Sequence, residues 1–253
     1  MDYKELTQIL KLKYGRAKHA NFDRRESDWY YFMHIPKTAG TTFRFVLYDH
    51  FNPGLVYPNY QELSKTGKYI VWQEFKNNLD TQFPPYKMWL MGHYGYKPIT
   101  YFRDNKPKAL TFLRQAQNRV MSKIIFQQRP GRIYQDMTIS EILNRELDKI
   151  AITQARSFGY KPGKNEDVSR LFRRMEEMAF IGISEQFERS ISLCNATFGW
   201  SLKMSKSRNV GAYQQTIFSE EQLVQINKAT QVDQQVYAYG LQLFEERCAK
   251  HGI

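Results

Sequence analysis

Apolar residues along the chain occur in short runs bounded by polar or turn-forming residues, and these runs predict β-strands. The first run, Trp29 to Ile35, is nearly continuous and ends at Pro36, which is typical of a strand buried on both faces of a parallel sheet. Shorter runs predict further strands at Tyr69–Trp72, Met88–Met91, Ala109–Leu113 and Ala179–Ile183.

Longer segments with apolar residues three and four positions apart predict helices between and after these strands. They cover Gln115–Gln128, Ser140–Lys149, Val168–Met178, Gln186–Phe198 and Glu220–Arg247, the last broken near Gln231. Another helix should begin near Gly40. Because strands alternate with helices, the sequence predicts an α/β fold with a doubly wound parallel sheet flanked by helices.

We expect one domain over residues 29–253 of the 253-residue chain, preceded by a peripheral extension over residues 1–28. Residues 3–20 of that extension have the pattern of a short basic amphipathic helix. The N-terminus lacks the run of about 20 apolar residues that a membrane span requires, so a cytoplasmic protein is expected, although a shortened form of an anchored enzyme would have the same pattern. Cys194 and Cys248 have no neighbour at metal-ligand spacing, and neither a disulfide nor a metal site is expected.

The charge balance indicates an anionic partner without identifying it. Lys and Arg number 37 against 25 Asp and Glu, a formal net charge of +12. Such a surface attracts nucleic acid, acidic glycan, membrane phosphate or a phosphorylated nucleotide alike. The basic residues are scattered, as on many solvated surfaces, and no recognition helix, zinc finger or RNA-binding aromatic motif is present, so nucleic acid is not expected as the partner.

Residues 34–42 read His-Ile-Pro-Lys-Thr-Ala-Gly-Thr-Thr at a predicted strand-to-helix junction. A turn there can direct backbone N–H groups at an anion, with Gly40 permitting close approach and Lys37 supplying a charge. Hydroxyl donors are present at Thr38, Thr41 and Thr42. The lysine precedes the glycine, unlike in the loop G-x-x-x-x-G-K-[ST], so an ordinary kinase or GTPase is not expected. The alternative is a turn and helix cap without a ligand.

A second candidate phosphate site follows the strand Ala109–Leu113. Arg114 at the strand end and Ser122 two helical turns later can reach one phosphate through a guanidinium fork and a hydroxyl donor. The alternative is a surface helix with incidental basic residues.

A candidate base follows the strand Met88–Met91. His93 is placed at the carboxyl edge of the predicted sheet, where open α/β folds bind their ligands. A neutral imidazole can accept a proton near pH 7, but a single histidine also serves as an ordinary hydrogen-bonding group in many structures.

Two segments resemble those of carbohydrate sulfotransferases of the heparan and uronyl type. Residues 34–42 resemble the 5′-phosphosulfate loop of that family, H/R-[IV]-P-K-T-x-[GS]-[ST]. Residues 113–122 resemble its 3′-phosphate segment, L-R-[DE]-P-x-x-R-x-x-S, with Gln115 and Ala116 in place of the acidic residue and the proline. Segments 153–156, 180–190 and 233–247 resemble its later elements, so the likeness extends over most of the chain. The first of these resembles a Q-T-R element near the acceptor side of the family, with Ala155 in place of the threonine.

The resemblance implies a P-loop nucleotide-hydrolase-like sulfotransferase fold and in-line transfer of a sulfuryl group from 3′-phosphoadenosine 5′-phosphosulfate, without a metal. The product would be 3′-phosphoadenosine 5′-phosphate, and the acceptor a hydroxyl on a carbohydrate or related metabolite. Lys37 and His93 would be catalytic, Lys37 at the bridging oxygen and His93 as the base. The alternative is a non-catalytic module that binds anionic glycans in the same basic cleft.

The remaining predicted contacts fall into two groups. The nucleotide would be held by Lys37, Thr38, Ala39, Gly40, Thr41, Thr42, Arg114 and Ser122, and by Lys206, Ser207 and Arg208 in a basic loop that can close over it. The acceptor would meet His34, Tyr94, Tyr96, Tyr101, Arg103 and Arg156, since aromatic and cationic groups suit sugars and anions. An ordinary solvated loop remains the alternative for residues 203–213.

Overall fold

The computed structural model describes residues 25, 27–58, 71–163, 167–203 and 218–253. Within these ranges the strands are β1 (Tyr30–Met33), β2 (Val56–Tyr57), β3 (Trp89–Gly92), β4 (Lys108–Leu113) and β5 (Phe180–Ile183). They form one sheet in the order β2-β3-β1-β4-β5, and all neighbouring strands are parallel. The predicted α/β class and parallel sheet are confirmed.

Strand β1 lies at the centre of the sheet, between β3 and β4. Its last residue, Met33, is level with Gly92 of β3 and Thr111 of β4. After β1 the chain first forms the β2–β3 side of the sheet and then crosses to form the β4–β5 side. Such a reversal opens a crevice beyond the carboxyl ends of the strands, where open α/β sheets bind their ligands.

Helices flank the sheet. They are α1 (Gly40–His50), α2 (Trp72–Asn77), α3 (Leu79–Gln82), α4 (Lys97–Tyr101), α5 (Ala116–Gln127), α6 (Ile139–Ile150), α7 (Thr153–Ser157), α8 (Val168–Glu176), α9 (Phe187–Phe198), α10 (Glu220–Ala229) and α11 (Gln231–His251). In the ranges described, none of them combines the length and the apolar character that crossing a bilayer requires.

The strands are buried, as their nearly continuous apolar runs predict. Phe32 of β1 and Phe112 of β4 are fully inaccessible to solvent, and Cys194 and Cys248 are free thiols buried in the same core. Burial of a large apolar side chain contributes about 1.5–3 kcal/mol. A second hydrophobic cluster joins α5, α6 and α10 through Val120, Ile124, Ile142, Leu147 and Ile226. It holds α5, which carries Ser122 of the second candidate phosphate site, against two other helices.

Four predicted strands are confirmed as β1, β3, β4 and β5, with small shifts at their ends. The predicted strand at Tyr69–Trp72 is wrong over the two residues that the structure describes. Trp72 begins helix α2 rather than ending a strand, while residues 69 and 70 lie outside the described residues. Strand β2 was not predicted, because two residues are too few to show a period.

The predicted helices correspond to α1, α5, α6, α8, α9 and the α10–α11 pair, whose break falls at Thr230. The last helix continues to His251, beyond the predicted end at Arg247. The short helices α2, α3, α4 and α7 were not predicted. The predicted helix over residues 3–20 lies outside the described residues.

Candidate active site

The loops that follow β1, β3 and β4 meet at the carboxyl end of the sheet. His34 donates its backbone N–H to the Gly92 carbonyl at 3.0 Å, which prolongs the β1–β3 pairing. Nδ1 of His93 lies 2.5 Å from the carbonyl oxygen of His34. Nη1 of Arg114 donates to the carbonyl of Lys37 at 3.3 Å. The structure therefore brings together three segments that are far apart in the sequence.

The loop between β1 and α1 contains two residues other than glycine with positive φ, Lys37 at 72° and Ala39 at 64°. Backbone of this kind costs about 1–3 kcal/mol per residue and concentrates at functional sites. Thr38, between them, is fully buried and donates its hydroxyl to the Ile35 carbonyl at 2.9 Å. Left-handed residues in a tight turn help successive N–H groups to point towards one concave side, an arrangement that binds anions.

Helix α1 begins directly after this loop. Its N-cap residue, Ala39, makes no side-chain cap, and the first turn has no acidic residue. In contrast, α6 and α10 each begin with a capping box, at Thr138 and at Ser219. An 11-residue helix without a side-chain cap, next to a lysine, is suited to a phosphate or sulfate group at its N-terminus.

Gly40 permits the His34 ring to pack closely against the start of α1. A Cβ atom at this position would lie 2.1 Å from Cδ2 and 2.4 Å from Nε2 of His34. The His34 ring is buried and lies parallel to the Phe32 ring, with 5.6 Å between centroids, so it has little room to move. His34, predicted as an acceptor contact, is thus packed against the start of α1.

The orientation of His93 suits a proton acceptor. A carbonyl oxygen can only accept, so the bond to His34 requires the hydrogen on Nδ1 and leaves Nε2 as the proton-accepting nitrogen. The two imidazole rings are 4.6 Å apart at 35°. His93 retains contact with solvent, yet desolvation by the surrounding protein lowers its pKa to about 4, with Arg44 and Lys123 adding to the decrease and the His34 bond opposing it. The imidazole is therefore neutral at pH 7.

Arg44 of α1 brings a buried positive charge close to both histidines, and sequence reasoning did not include it. The residue is 7% exposed, and its Nη2 lies 3.5 Å from Nδ1 of His34. Burial first, and then electrostatic interactions with His93, Arg44 and Lys37, hold the pKa of His34 well below its usual value. The spacing between Arg44 and His34 gives no signal in the sequence, because only the packing of α1 on the loop brings these two residues together.

Arg114 is held through both its backbone and its side chain. Its N–H donates to Oε1 of Gln154 at 2.9 Å, and its carbonyl accepts from Nε2 of the same glutamine at 2.9 Å. Oε1 of Glu185 lies 4.0 Å from its Nε, and the Arg114 side chain is 20% exposed. Ser122, its predicted partner at the 3′-phosphate, lies on the buried side of α5 and is 1% exposed.

A group of cations surrounds Phe126 in the last turn of α5. Nζ of Lys37 lies 4.2 Å from the ring centroid, and the guanidinium carbons of Arg132 and Arg129 lie 4.7 and 5.5 Å from it. These distances are typical of cation–π contacts. Lys123, one turn earlier, has a lowered pKa because of burial first and then the charges of Arg119 and Arg132. Phe126, Arg129 and Arg132 extend the basic region beyond the predicted residues. The sequence signal for them was limited to an aromatic residue followed closely by two arginines, since Arg129 and Arg132 lie beyond the end of α5.

Two of the three tyrosines predicted on the acceptor side, Tyr94 and Tyr96, are packed in the protein. Tyr94 is 5% exposed and lies 5.3 Å from the Phe75 ring and 5.4 Å from the Trp72 ring. Tyr96 donates its hydroxyl to Glu177 at 2.6 Å. Burial raises the pKa of both phenols above the usual value.

The other predicted acceptor contacts lie on the surface. Arg103 is exposed and donates to the Thr100 carbonyl at 3.2 Å. Arg156 is exposed and donates to the carbonyls of Lys149 and Asp148, at 2.6 and 3.2 Å, so it caps the last turn of α6. Tyr101 is 47% exposed beside Trp72. The predicted nucleotide contacts Lys206, Ser207 and Arg208 lie outside the described residues.

The assembled residues have a definite chemical capacity. The loop and the start of α1 can bind an anion, the basic residues on both sides can neutralise more than one negative group, and the adjacent neutral imidazole can accept a proton. Neither a scan against models of known protein families nor a search of curated proteins finds a match to this chain.

Proposed function

We propose that this protein is a sulfotransferase that moves a sulfuryl group from 3′-phosphoadenosine 5′-phosphosulfate to an acceptor hydroxyl on a carbohydrate or related metabolite. The observation that supports the proposal most is the 2.5 Å contact between Nδ1 of His93 and the His34 carbonyl, because it ties the candidate base to the first residue of the phosphate loop. The identity of the donor comes from the resemblance of residues 34–42 and 113–122 to the two nucleotide segments of carbohydrate sulfotransferases.

The proposed donor complex uses both segments at the carboxyl edge of the sheet. The N–H groups at the start of α1 and the Lys37 ammonium hold the 5′-phosphosulfate group. Arg114 and Ser122 hold the 3′-phosphate. The bond from Arg114 to the Lys37 carbonyl supports this arrangement, since it links the two phosphate-binding segments directly. A sulfotransferase variant of the P-loop fold is part of the proposal.

In the proposed transfer, the acceptor oxygen forms a bond to sulfur while the bond between sulfur and the bridging oxygen of the 5′-phosphate breaks in line. Nε2 of His93 takes the proton of the hydroxyl, a role worth about 10²–10⁴-fold in rate. Lys37 and the N–H groups of α1 stabilise the negative charge that develops on the leaving phosphate. The scheme requires no metal ion.

Calorimetric titration with 3′-phosphoadenosine 5′-phosphate tests the nucleotide site. We expect micromolar binding by the wild type and a dissociation constant raised roughly 10–100-fold by Arg114→Ala, because a hydrogen bond to a charged group contributes about 1.5–3 kcal/mol. Lys37→Ala should weaken binding in the same direction. Arg145→Ala and Lys228→Ala, at exposed positions on α6 and α10, are the matched controls. Failure of the wild type to bind would remove the basis of the proposal.

Replacement of His93 separates catalysis from nucleotide binding. With a panel of hydroxyl acceptors and a radiolabelled sulfate donor, His93→Gln should lower the rate of transfer about 10²–10⁴-fold and leave the affinity for the nucleotide nearly unchanged. Equal rates for the two proteins would exclude His93 as the base.

The second candidate is a non-catalytic module that binds anionic glycans, and the cations around Phe126 favour it. The contacts of Lys37, Arg129 and Arg132 with that ring place three positive charges together, as a polyanion site requires. This function predicts binding of a sulfated oligosaccharide without competition from the nucleotide and without transfer. Nucleotide-dependent sulfation of any acceptor would exclude it.

A further inference from the structure

The side chain of Gln154 pairs with the backbone of Arg114 as a neighbouring strand would. Its Oε1 accepts from the Arg114 N–H and its Nε2 donates to the Arg114 carbonyl, both at 2.9 Å. Strand β4 ends one residue earlier, at Leu113, which is level with Ile183 of β5. The amide of Gln154 therefore continues the hydrogen bonding of the sheet by one residue, at the residue that carries the guanidinium.

Gln154 is itself fixed from the C-terminal helix. It is fully buried, and the Asp233 carboxylate of α11 accepts its backbone N–H at 3.0 Å and that of Ala155 at 2.8 Å. Nε of Arg119 lies 3.6 Å from the same carboxylate, and both of these charged side chains are almost fully buried. Arg119 also donates to the carbonyls of Ile150 and Ala151, just before α7. The position of Gln154 is thus determined by three helices, α5, α7 and α11.

These contacts connect the buried interior to the phosphate loop. The Arg114 guanidinium reaches the Lys37 carbonyl, so the direction of this side chain affects both phosphate-binding segments. Gln154 makes no contact with the guanidinium among its described hydrogen bonds, and it acts on the backbone alone. A residue with this geometry affects a ligand through Arg114 and not directly.

We propose that Gln154, held by Asp233, is a positioning residue that orients Arg114 towards the 3′-phosphate of the nucleotide. The proposal rests on the proposed function, and it assigns to Gln154 a role on the nucleotide side of the site instead of the acceptor side that the sequence resemblance implies. Its consequence is selective: loss of Gln154 weakens recognition of the 3′-phosphate and leaves recognition of the rest of the nucleotide intact.

The experiment compares two ligands that differ only in that phosphate. The affinities of the wild type and Gln154→Met for 3′-phosphoadenosine 5′-phosphate and for adenosine 5′-phosphate are measured by calorimetry, with competition for the weaker ligand. Methionine has a similar length and volume but neither hydrogen bond. We expect a roughly tenfold loss for the bisphosphate, about 1.4 kcal/mol, because the Arg114 guanidinium is no longer held towards the 3′-phosphate, and less than about twofold for the monophosphate.

A double-mutant cycle with Arg114→Ala tests whether Gln154 acts through that arginine. The double variant should bind the bisphosphate no more weakly than Arg114→Ala does. Gln154→Glu keeps the acceptor for the Arg114 N–H and loses the donor to the Arg114 carbonyl. It is the second test variant if Gln154→Met folds poorly, and it should also lower the preference for the bisphosphate over the monophosphate. Ser157→Ala, in the same helix with its hydroxyl on the Thr153 carbonyl, is the matched control.

The possible outcomes are distinguishable. Equal losses for both ligands, or additive losses in the cycle, would show a general structural effect and overturn the positioning role while the proposed function stands. Unchanged binding of the bisphosphate by both Gln154 variants would overturn it as well. If the wild type binds neither nucleotide, the proposed function fails, and the positioning role fails with it.

Discussion

Gly40 is the residue whose replacement most directly tests the packing of the phosphate loop. Gly40→Ala places a methyl group within 2.1 Å of the buried His34 ring, and we expect a loss of about 1–3 kcal/mol in the free energy of unfolding, as overpacked cores show. Urea denaturation measures the loss. The same displacement should lower the transfer rate, because the His34 carbonyl orients His93.

Thr41→Ala, at the exposed neighbouring position, is the control and should leave the unfolding free energy within about 0.5 kcal/mol of the wild type. A Gly40→Ala protein as stable as the wild type would contradict the close contact between Gly40 and the His34 ring.

The lowered pKa of His93 predicts the pH dependence of transfer. The reactive form is neutral, so activity should be retained below pH 6.5 and lost only as the pH falls towards a His93 pKa of about 4. The Arg44 charge contributes to the lowering, and Arg44→Met should therefore raise the pKa of His93. The acid limb of kcat/KM measures this change.

Arg44→Lys keeps the positive charge and should leave the acid limb near that of the wild type. The His93 imidazole can also be titrated by NMR, assigned with His93→Gln, so the test does not depend on turnover. An Arg44→Met protein whose His93 pKa falls or stays constant would contradict the proposed electrostatic effect.

Helix α6 depends for part of its C-terminal capping on Arg156, a side chain from the next helix. Its guanidinium donates to the Lys149 and Asp148 carbonyls, which have no N–H partner within a helix that ends there. Arg156→Ala should lower the unfolding free energy by about 0.5–1.5 kcal/mol, towards the lower value because the side chain is exposed. Thermal unfolding measures the change, and Arg145→Ala on the exposed face of α6 is the control. Equal effects of the two substitutions would count against a capping role.

The N-termini of α1 and α6 show how the capping of a helix indicates whether that end can bind a ligand. The capping box of α6 consists of Thr138 and Glu141, whose side chains accept hydrogen bonds from each other's backbone N–H groups at the start of the helix. Helix α1 has no such side chain at Ala39, so its N-terminus is suited to an external anion. The presence or absence of a capping residue can be identified in the sequence once the first residue of the helix is known.

The buried pair Arg119–Asp233 joins two helices that are far apart in the sequence, α5 after β4 and α11 near the C-terminus. Burial raises the pKa of Asp233 to about 6, although Arg119 opposes the rise, and burial also lowers the pKa of Arg119. Desolvation is the largest cause of both pKa shifts, and the attraction between the two charges opposes each of them. Asp233→Leu should lower the free energy of unfolding by about 3–5 kcal/mol, because the buried Arg119 charge loses its carboxylate partner, and Arg119→Met/Asp233→Leu should lower it by less than that single change.

Urea denaturation of both single variants and the double variant measures this coupling. The exposed pair Arg189–Glu245, with side chains 36% and 44% accessible, is the comparison, and its replacement should matter far less. A double variant less stable than Asp233→Leu would contradict this expectation and show that Arg119 stabilises the fold without Asp233, through its bonds to the Ile150 and Ala151 carbonyls.

Much of this protein follows from short-range properties of the chain. Apolar runs without polar alternation predicted β1, β3, β4 and β5, because a strand buried on both faces has no polar side. Helical spacing predicted the longer helices, and the strand-to-helix junctions located Lys37, His93 and Arg114. Each of these properties is expressed within a few residues, so a single sequence displays it.

The remaining features required the folded chain. The order β2-β3-β1-β4-β5 places the loops after β1, β3 and β4 side by side, and only that order lets His93 bond to His34 and Arg114 bond to Lys37. Tyr94, a candidate for the acceptor, instead packs against Trp72 and Phe75, because hydrophobic burial and not residue type determines where an aromatic side chain points. Contacts between segments distant in sequence leave no local pattern, and for that reason the sequence located the ends of the strands while the packing alone determined which side chains meet there.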